Sequence, residues 1–261
     1  FTVPTILTML TRHAAVDRYD HSSLRYVIYA GSPMYRADQR QAQEKLGPVL
    51  VQYYGMGEVT GAITVLPSAM HSVDDGAMPV GSCGYPRTGM DVAVLDAAGR
   101  RLPDGETGEV CVRGPAVLVE YFNNTDANEK VFAGGWFHTG DLGHMDARGL
   151  VYLTGRASDM YISGGSNVYP REIEEALLTH PAVVEACVLG ESHPKWGESG
   201  VAVLVTSEPV AEAELLAALD GRLARYKWPS RFVVWPELPK SGYGKVTKRE
   251  VRRRLQEHDN G

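Results

Sequence analysis

An aspartate bounded by glycines follows two aromatics in Trp136-Phe137-His138-Thr139-Gly140-Asp141-Leu142-Gly143. Such a carboxylate can accept hydrogen bonds from both hydroxyls of a ribose, or simply close its own turn on nearby backbone amides. Fifteen residues later, Arg156 in Gly155-Arg156-Ala157-Ser158-Asp159 can pair with a phosphate or a ribose. A lone arginine is more often one half of a surface ion pair. Upstream, Gln52-Tyr53-Tyr54-Gly55-Met56-Gly57-Glu58 puts an aromatic, two glycines and a carboxylate just past a strand. Glycines admit a ligand to the backbone, an aromatic can stack on a base, and a carboxylate can bind Mg²⁺. A turn after a buried strand explains the same residues, and taken alone this segment favours the turn.

Two more segments carry chemistry-bearing residues. Ser163-Gly164-Gly165-Ser166-Asn167-Val168-Tyr169-Pro170 is a glycine-rich loop leading into a helix, without the Lys-Ser/Thr ending of a phosphate-binding loop. It reads as a loop that lets a thin substrate pass close to the backbone. Pro239-Lys240-Ser241-Gly242-Tyr243-Gly244-Lys245 sets a lysine after a glycine turn, from which it can reach into a cleft as a point charge. Lys248, Arg249, Arg252, Arg253 and Arg254 read as the solvated face of a final helix.

The elements that must position these groups fall into distinct stretches. Val3 to His13 has helical apolar spacing with Pro4 in the first turn. Leu24 to Ala30 is a β-rich run ending at Gly31-Ser32-Pro33, Arg36 to Leu46 a helix stopped by Gly47-Pro48, and Val49 to Tyr54 a further strand. Strand, glycine turn, helix and strand are the grammar of a parallel sheet, whose ligands collect at the carboxyl ends of its strands. From about 80 to 155, short strands at 92–95, 108–112 and 150–153 are separated by turn residues, predicting a small antiparallel sheet or barrel. Beyond 160 the pattern is α+β: a helix over 170–179, strands over 183–189 and 200–206, a helix over 210–223, a strand over 232–235 and a helix over 246–256.

Bulk properties exclude some classes. A net charge of −6 over 261 residues argues against a general nucleic-acid binder. No apolar run is long enough to span a bilayer. Cys83, Cys111 and Cys187 lie far apart without metal-ligand spacing, and an odd, sparse set suits the reducing cytoplasm. The first residue is Phe1, and the chain opens straight into an apolar helical pattern, so it is expected to begin inside a larger protein.

In order and spacing, these motifs resemble the adenylate-forming superfamily of acyl- and aryl-CoA synthetases, peptide-synthetase adenylation domains and luciferases. The resemblance runs over essentially the whole chain, most strongly at Tyr54 to Glu58, Gly135 to Asp141, Gly155 to Pro170 and Leu238 to Lys245. It implies the C-terminal portion of a large AMP-binding domain over 1–158, with an α/β part at 1–75 and a β part at 80–155. That portion would combine parallel α/β structure with a small β-barrel. A small mobile α+β domain over 159–261 would follow.

The implied activity is ATP- and Mg²⁺-dependent conversion of a carboxylic acid to its acyl-adenylate, followed by thioester formation with CoA. Gly31, Ser32 and Pro33 would border adenine, Tyr54 would stack on it, and Gly55, Met56 and Gly57 would complete the nucleotide segment. Glu58 would stand near Mg²⁺, and Asp141 and Arg156 would hold the ribose. Asp159 would be the hinge between half-reactions, and Lys245 would bridge the carboxylate and the α-phosphate. Gly164, Gly165 and Trp196 would line the path of the thiol, with Tyr226, Lys227 and Arg231 at the CoA nucleotide.

Relatives carry an upstream phosphate loop that this chain does not include, so the N-terminal half of the same enzyme is expected as its partner and the chain alone is expected to be inactive in adenylation. Gly57 stands where most relatives have Thr or Ser, and Trp228 and Ser230 where many are basic. The apolar or small residues near Tyr29 and Gly55 point to a fatty or aryl acid. The rival readings are a stand-alone enzyme that loads a carrier protein, and a non-catalytic fragment that binds nucleotide or a partner.

Overall fold

The computed structural model describes residues 1–32, 34–71, 81–242 and 244–259, so Pro33 of the adenine turn and Tyr243 of the lysine turn lie outside the described residues. The chain divides into two compact units, Phe1–Ala157 and Ser158–Gly261.

The first unit starts with α1 (Pro4–Arg12), where Pro4 occupies the first turn and loses no helical hydrogen bond. Strand β1 (Val27–Ala30), helix α2 (Arg36–Leu46) and strand β2 (Leu50–Met56) follow. Gly47 ends α2 at φ +81°, a conformation that costs glycine little. β1 and β2 pair in parallel from Val27↔Leu50 to Ala30↔Tyr53. Leu7, Tyr29, Met34, Ala42 and Leu50 form the core between these strands and the two helices.

The rest of this unit comprises β3 (Gly61–Leu66), β4 (Ser82–Pro86), β5 (Asp91–Leu95), β6 (Gly108–Arg113), α3 (Thr125–Val131), β7 (Phe137–Met145) and β8 (Val151–Arg156). All strands join one eight-stranded sheet in the order β1-β2-β3-β4-β8-β7-β6-β5. The architecture is mixed α/β with a large sheet. β1–β2 is its parallel pair; the other pairings are antiparallel. Among the described residues no pairing of β5 closes the β part into a barrel. Gly84 marks the crossing of β3 and β4, where a Cβ would lie 2.0 Å from the Val65 carbonyl oxygen.

The second unit holds β9 (Tyr161–Ser163), β10 (Ser166–Val168), α4 (Pro170–Leu177), β11 (Val183–His193), β12 (Gly197–Thr206), α5 (Glu212–Leu219), β13 (Arg231–Val234) and α6 (Lys248–Asp259). Successive residues of a strand face opposite sides, and here both sides are covered. Ala186, Val188, Ala202 and Leu204 pack with Ile173 and Leu177 of α4 and Leu215 and Leu219 of α5. Cys187, Leu189, Val201 and Val203 pack with Val251 and Leu255 of α6. The apolar runs in β11 and β12 reflect this double burial.

All three cysteines are buried free thiols. Burial, reinforced by the charges of Glu109 and Glu174 respectively, pushes Cys111 and Cys187 up to about 12. Among the described residues no helix is long and apolar enough to cross a membrane.

Candidate functional site

Parallel pairing sends the carboxyl ends of β1 and β2 to the same edge of the sheet, so Gly31-Ser32 and Tyr54–Glu58 emerge side by side. Gly31 has φ +91°, which favours glycine. Gly55 lies where the β2–β3 register shifts, and a Cβ there would meet the Gly61 carbonyl oxygen at 1.6 Å. Gly57 is different: it opens a single 3₁₀ turn, Gly57–Val59, and a Cβ would meet nothing within 4 Å.

Asp141 lies within strand β7, where the sequence pattern suggested a glycine-bounded turn. It pairs in register with Arg156 at the end of β8. Arg156 Nε stands 2.7 Å from Asp141 Oδ1, and the Tyr54 hydroxyl donates to Oδ2 at 2.8 Å. The Asp141 side chain is 10% exposed whereas the Arg156 side chain is 55% exposed, so the arginine carries the site toward solvent. Burial first, and then the charge of Asp141, pushes the Tyr54 phenol well above its ordinary value, keeping it a donor. Tyr54, Asp141 and Arg156 therefore form one constellation.

Beside it opens a cleft of about 420 Å³, lined among others by Met56, Glu58, Tyr121, Lys130, Gly140 and Arg156. The Tyr121 hydroxyl donates to Glu58 Oε1 at 3.0 Å, and Leu118 N–H fixes the Glu58 backbone at 2.7 Å. Partial desolvation and the Glu58 carboxylate raise the Tyr121 phenol. One half-buried carboxylate, in a cleft whose Lys130 and Arg156 side chains suit phosphate, fits a hard divalent ion whose other ligands come from a polyphosphate. Tyr121 and Lys130 escaped the sequence reading because only folding brings them into the cleft with Glu58.

The remaining residues belong to the second unit. Gly164 and Gly165, with φ +57° and +82°, form a two-residue hairpin turn between β9 and β10, so the expected loop is a tight turn. Gly164 N–H donates to the Trp196 carbonyl at 2.9 Å, and the Trp196 ring covers Gly164. Tyr226 is exposed on a 3₁₀ turn, Arg225–Lys227. Lys227 and Arg231 each meet a carboxylate already, Glu172 at 2.6 Å and Glu191 at 2.8 Å. Lys245 is exposed; its N–H approaches Ser241 Oγ at 3.3 Å, and its carbonyl accepts from Ser241 N–H at 2.8 Å.

Asp159 does not hang free, because Lys248 of α6 lies 3.4 Å from its carboxylate and 3.4 Å from buried Glu174. Lys248 also donates to the Val188 carbonyl. This lysine, read from sequence as part of a solvated face, is largely buried instead.

Residues 1–122 match the profile of AMP-binding enzymes, and residues 172–245 that of the AMP-binding enzyme C-terminal domain. The chain is 39% identical over 264 residues to the medium/long-chain-fatty-acid–CoA ligase FadD8 of Mycobacterium tuberculosis, covering 98% of this chain and 46% of that protein. Among solved structures, the amide bond synthetase McbA from Marinactinospora thermotolerans superposes with a TM-score of 0.89 at 34% identity, covering 98% of this chain and 51% of that one. The O-succinylbenzoate coenzyme A synthetase MenE from Bacillus subtilis, solved with ATP and magnesium, gives 0.83 at 34% identity, covering 96% and 50%. The chain spans about half the length of the relatives it matches.

Proposed function

Because the chain belongs to the adenylate-forming superfamily, we propose that it supplies the ribose-binding side of the ATP site in a ligase that activates a fatty or aryl carboxylic acid. The observation that carries this reading is the Tyr54–Asp141–Arg156 constellation beside Glu58. Asp141, held by Tyr54 and Arg156, would accept the ribose hydroxyls on its remaining lone pairs, while Gly31-Ser32 and the Tyr54 ring would border adenine. Glu58 would hold Mg²⁺, which supplies charge neutralisation along the phosphates.

In the first step a carboxylate oxygen bonds to the α-phosphorus, and the bond from that phosphorus to pyrophosphate breaks. Lys245 would stabilise the charge between the two anions, a preorganised electrostatic role. In the second step a thiol sulfur bonds to the acyl carbon, its proton leaves to solvent, and AMP departs. The domain boundary would lie at Ser158–Asp159, with Asp159 as the hinge, Gly164-Gly165 and Trp196 beside the thiol path, and Tyr226, Lys227 and Arg231 at the CoA nucleotide. Buried free cysteines suit a cytoplasmic enzyme.

A second acceptor class is favoured by one observation: Lys227 and Arg231 are already neutralised by Glu172 and Glu191, so CoA phosphates would have to displace carboxylates. An amine or a carrier-protein thiol would not. Carboxylate-dependent ATP–pyrophosphate exchange by the complete protein, over a panel of fatty and aryl acids, tests the first step. Exchange that Lys245→Ala abolishes is the expected result. No exchange with any acid would sink the reading, and acyl release to CoA against hydroxylamine then identifies the acceptor class.

A further inference from the structure

The β6–β7 ladder breaks where the site is built. Cys111 pairs with His138 and Glu109 with Leu142, so Thr139, Gly140 and Asp141 face the single residue Val110. Extra residues in one strand leave backbone groups without ladder partners, and each buried one needs a substitute. Here the substitutes are side chains. Glu109 Oε1 accepts from Gly140 N–H at 2.9 Å, and Oε2 lies 2.7 Å from His138 Nδ1. The Thr139 hydroxyl donates to the Val110 carbonyl at 2.6 Å and accepts from Asp141 N–H at 3.1 Å. Gly140 itself takes φ +71°.

Glu109 thus grips the residues on both sides of Thr139 and bonds the amide of the residue that precedes Asp141. Charge-assisted hydrogen bonds are roughly twice as strong as neutral ones, which suits a group holding a bulge in one shape. From this geometry we infer that Glu109 is a positioning residue for the nucleotide: it fixes the bulge that aims Asp141 at the ribose. The inference rests on the proposed role of Asp141.

A rival use of the same residues is a metal centre, since Glu109, Cys111 and His138 each offer a ligand atom within 4.8 Å of the others. The geometry speaks against it. Both Glu109 oxygens are engaged, and His138 Nδ1 already faces Glu109 at 2.7 Å and Cys111 Sγ at 3.4 Å. Cys111 is fully buried, with its Sγ already against His138 Nδ1.

The test measures equilibrium binding of ATP and of 2′,3′-dideoxyATP to the complete protein, with folding checked by thermal unfolding. The parent protein should prefer ATP. Glu109→Ala should weaken ATP binding by about tenfold or more, because a misaimed Asp141 loses its charge-assisted hydrogen bonds to the ribose. The same variant should shrink the penalty for the dideoxy nucleotide toward unity and speed hydrogen exchange at the Gly140 amide. Glu109→Gln, which keeps an acceptor for that amide, should recover most of the binding.

If Glu109→Ala retained the full dideoxy penalty while Asp141→Asn lost it, the positioning role would fall and the ribose reading would survive. If Asp141→Asn also retained the penalty, both would fall. Stoichiometric zinc bound by the parent and lost in Glu109→Gln would overturn the assignment in favour of a metal centre.

Discussion

Tyr54 and Asp141 are 87 positions apart in the chain, yet the phenol of one donates to the carboxylate of the other at 2.8 Å. The bond spans strands β2 and β7, and with the Arg156 ion pair it helps orient the carboxylate. Tyr54→Phe keeps the ring and removes the donor. The expected loss is about 1 kcal/mol, or about fivefold in nucleotide affinity, read as Kd for ATP. Unchanged affinity would show that the Tyr54 bond does not help aim Asp141.

Glycines in the candidate site differ in how replaceable they are. Gly57 has open space at its Cβ, so Gly57→Ser should keep stability within about 0.5 kcal/mol of the parent. If its hydroxyl meets the α-phosphate, ATP binding should tighten severalfold. Gly164 has φ +57° and a Cβ position 3.2 Å from the Trp196 ring. Gly164→Ala should cost about 1 kcal/mol or more, seen as a lower urea midpoint. Equal midpoints for the two variants would refute the distinction.

Lys248 is 27% exposed and stands between two carboxylates. Burial opposes its charge, but Glu174 and Asp159 more than offset this and raise its pKa above the ordinary 10.5. Lys248→Met would break the ion pair with Glu174, whose side chain is 7% exposed, and breaking such a pair costs about 3 kcal/mol. Urea unfolding should register this loss. The double variant Lys248→Met/Glu174→Gln should be less destabilised than the sum of the singles.

His71 is 7% exposed. Its Nδ1 faces the Pro67 carbonyl at 3.0 Å and its Nε2 the Tyr29 hydroxyl at 3.1 Å. Burial lowers its pKa below the ordinary 6.5 despite the Pro67 bond. Its neutral form is therefore preferred on folding, and the unfolded chain binds the proton more readily. The stabilisation is complete above about pH 6.5 and is lost as pH falls below it, toward the lower folded value, at no more than about 1.4 kcal/mol per pH unit. Urea midpoints measured from pH 7.5 to 5 should fall, and His71→Gln should flatten the slope.

Local signals read well wherever local physics decided the outcome. Gly47-Pro48 ended α2 at Leu46 as the pattern predicted, and the apolar runs of β11 and β12 marked strands buried on both faces. Where tertiary pairing overrode local preference, the sequence misled. Thr139-Gly140-Asp141 reads as a turn, but partners on both sides draw it into β7 as a bulge. The helix expected over 210–223 shortens to Glu212–Leu219, interrupted by Asp220-Gly221. Tyr54, Asp141 and Arg156 were recognisable by their type and order. Glu109, Tyr121 and Lys248 were not, since each matters through a partner at least 29 positions away that no periodicity announces.

The buried thiols have a practical corollary. Cys83, Cys111 and Cys187 are shut away from water, and the latter two are protonated at neutral pH, so thiol-directed dyes and spin labels should find little to react with in the folded chain. A cysteine introduced at exposed Trp196 or Tyr226 would then report from a silent background. Paired with a second exposed site in residues 1–157, it would put the hinge proposed at Asp159 to the test as a measurable distance.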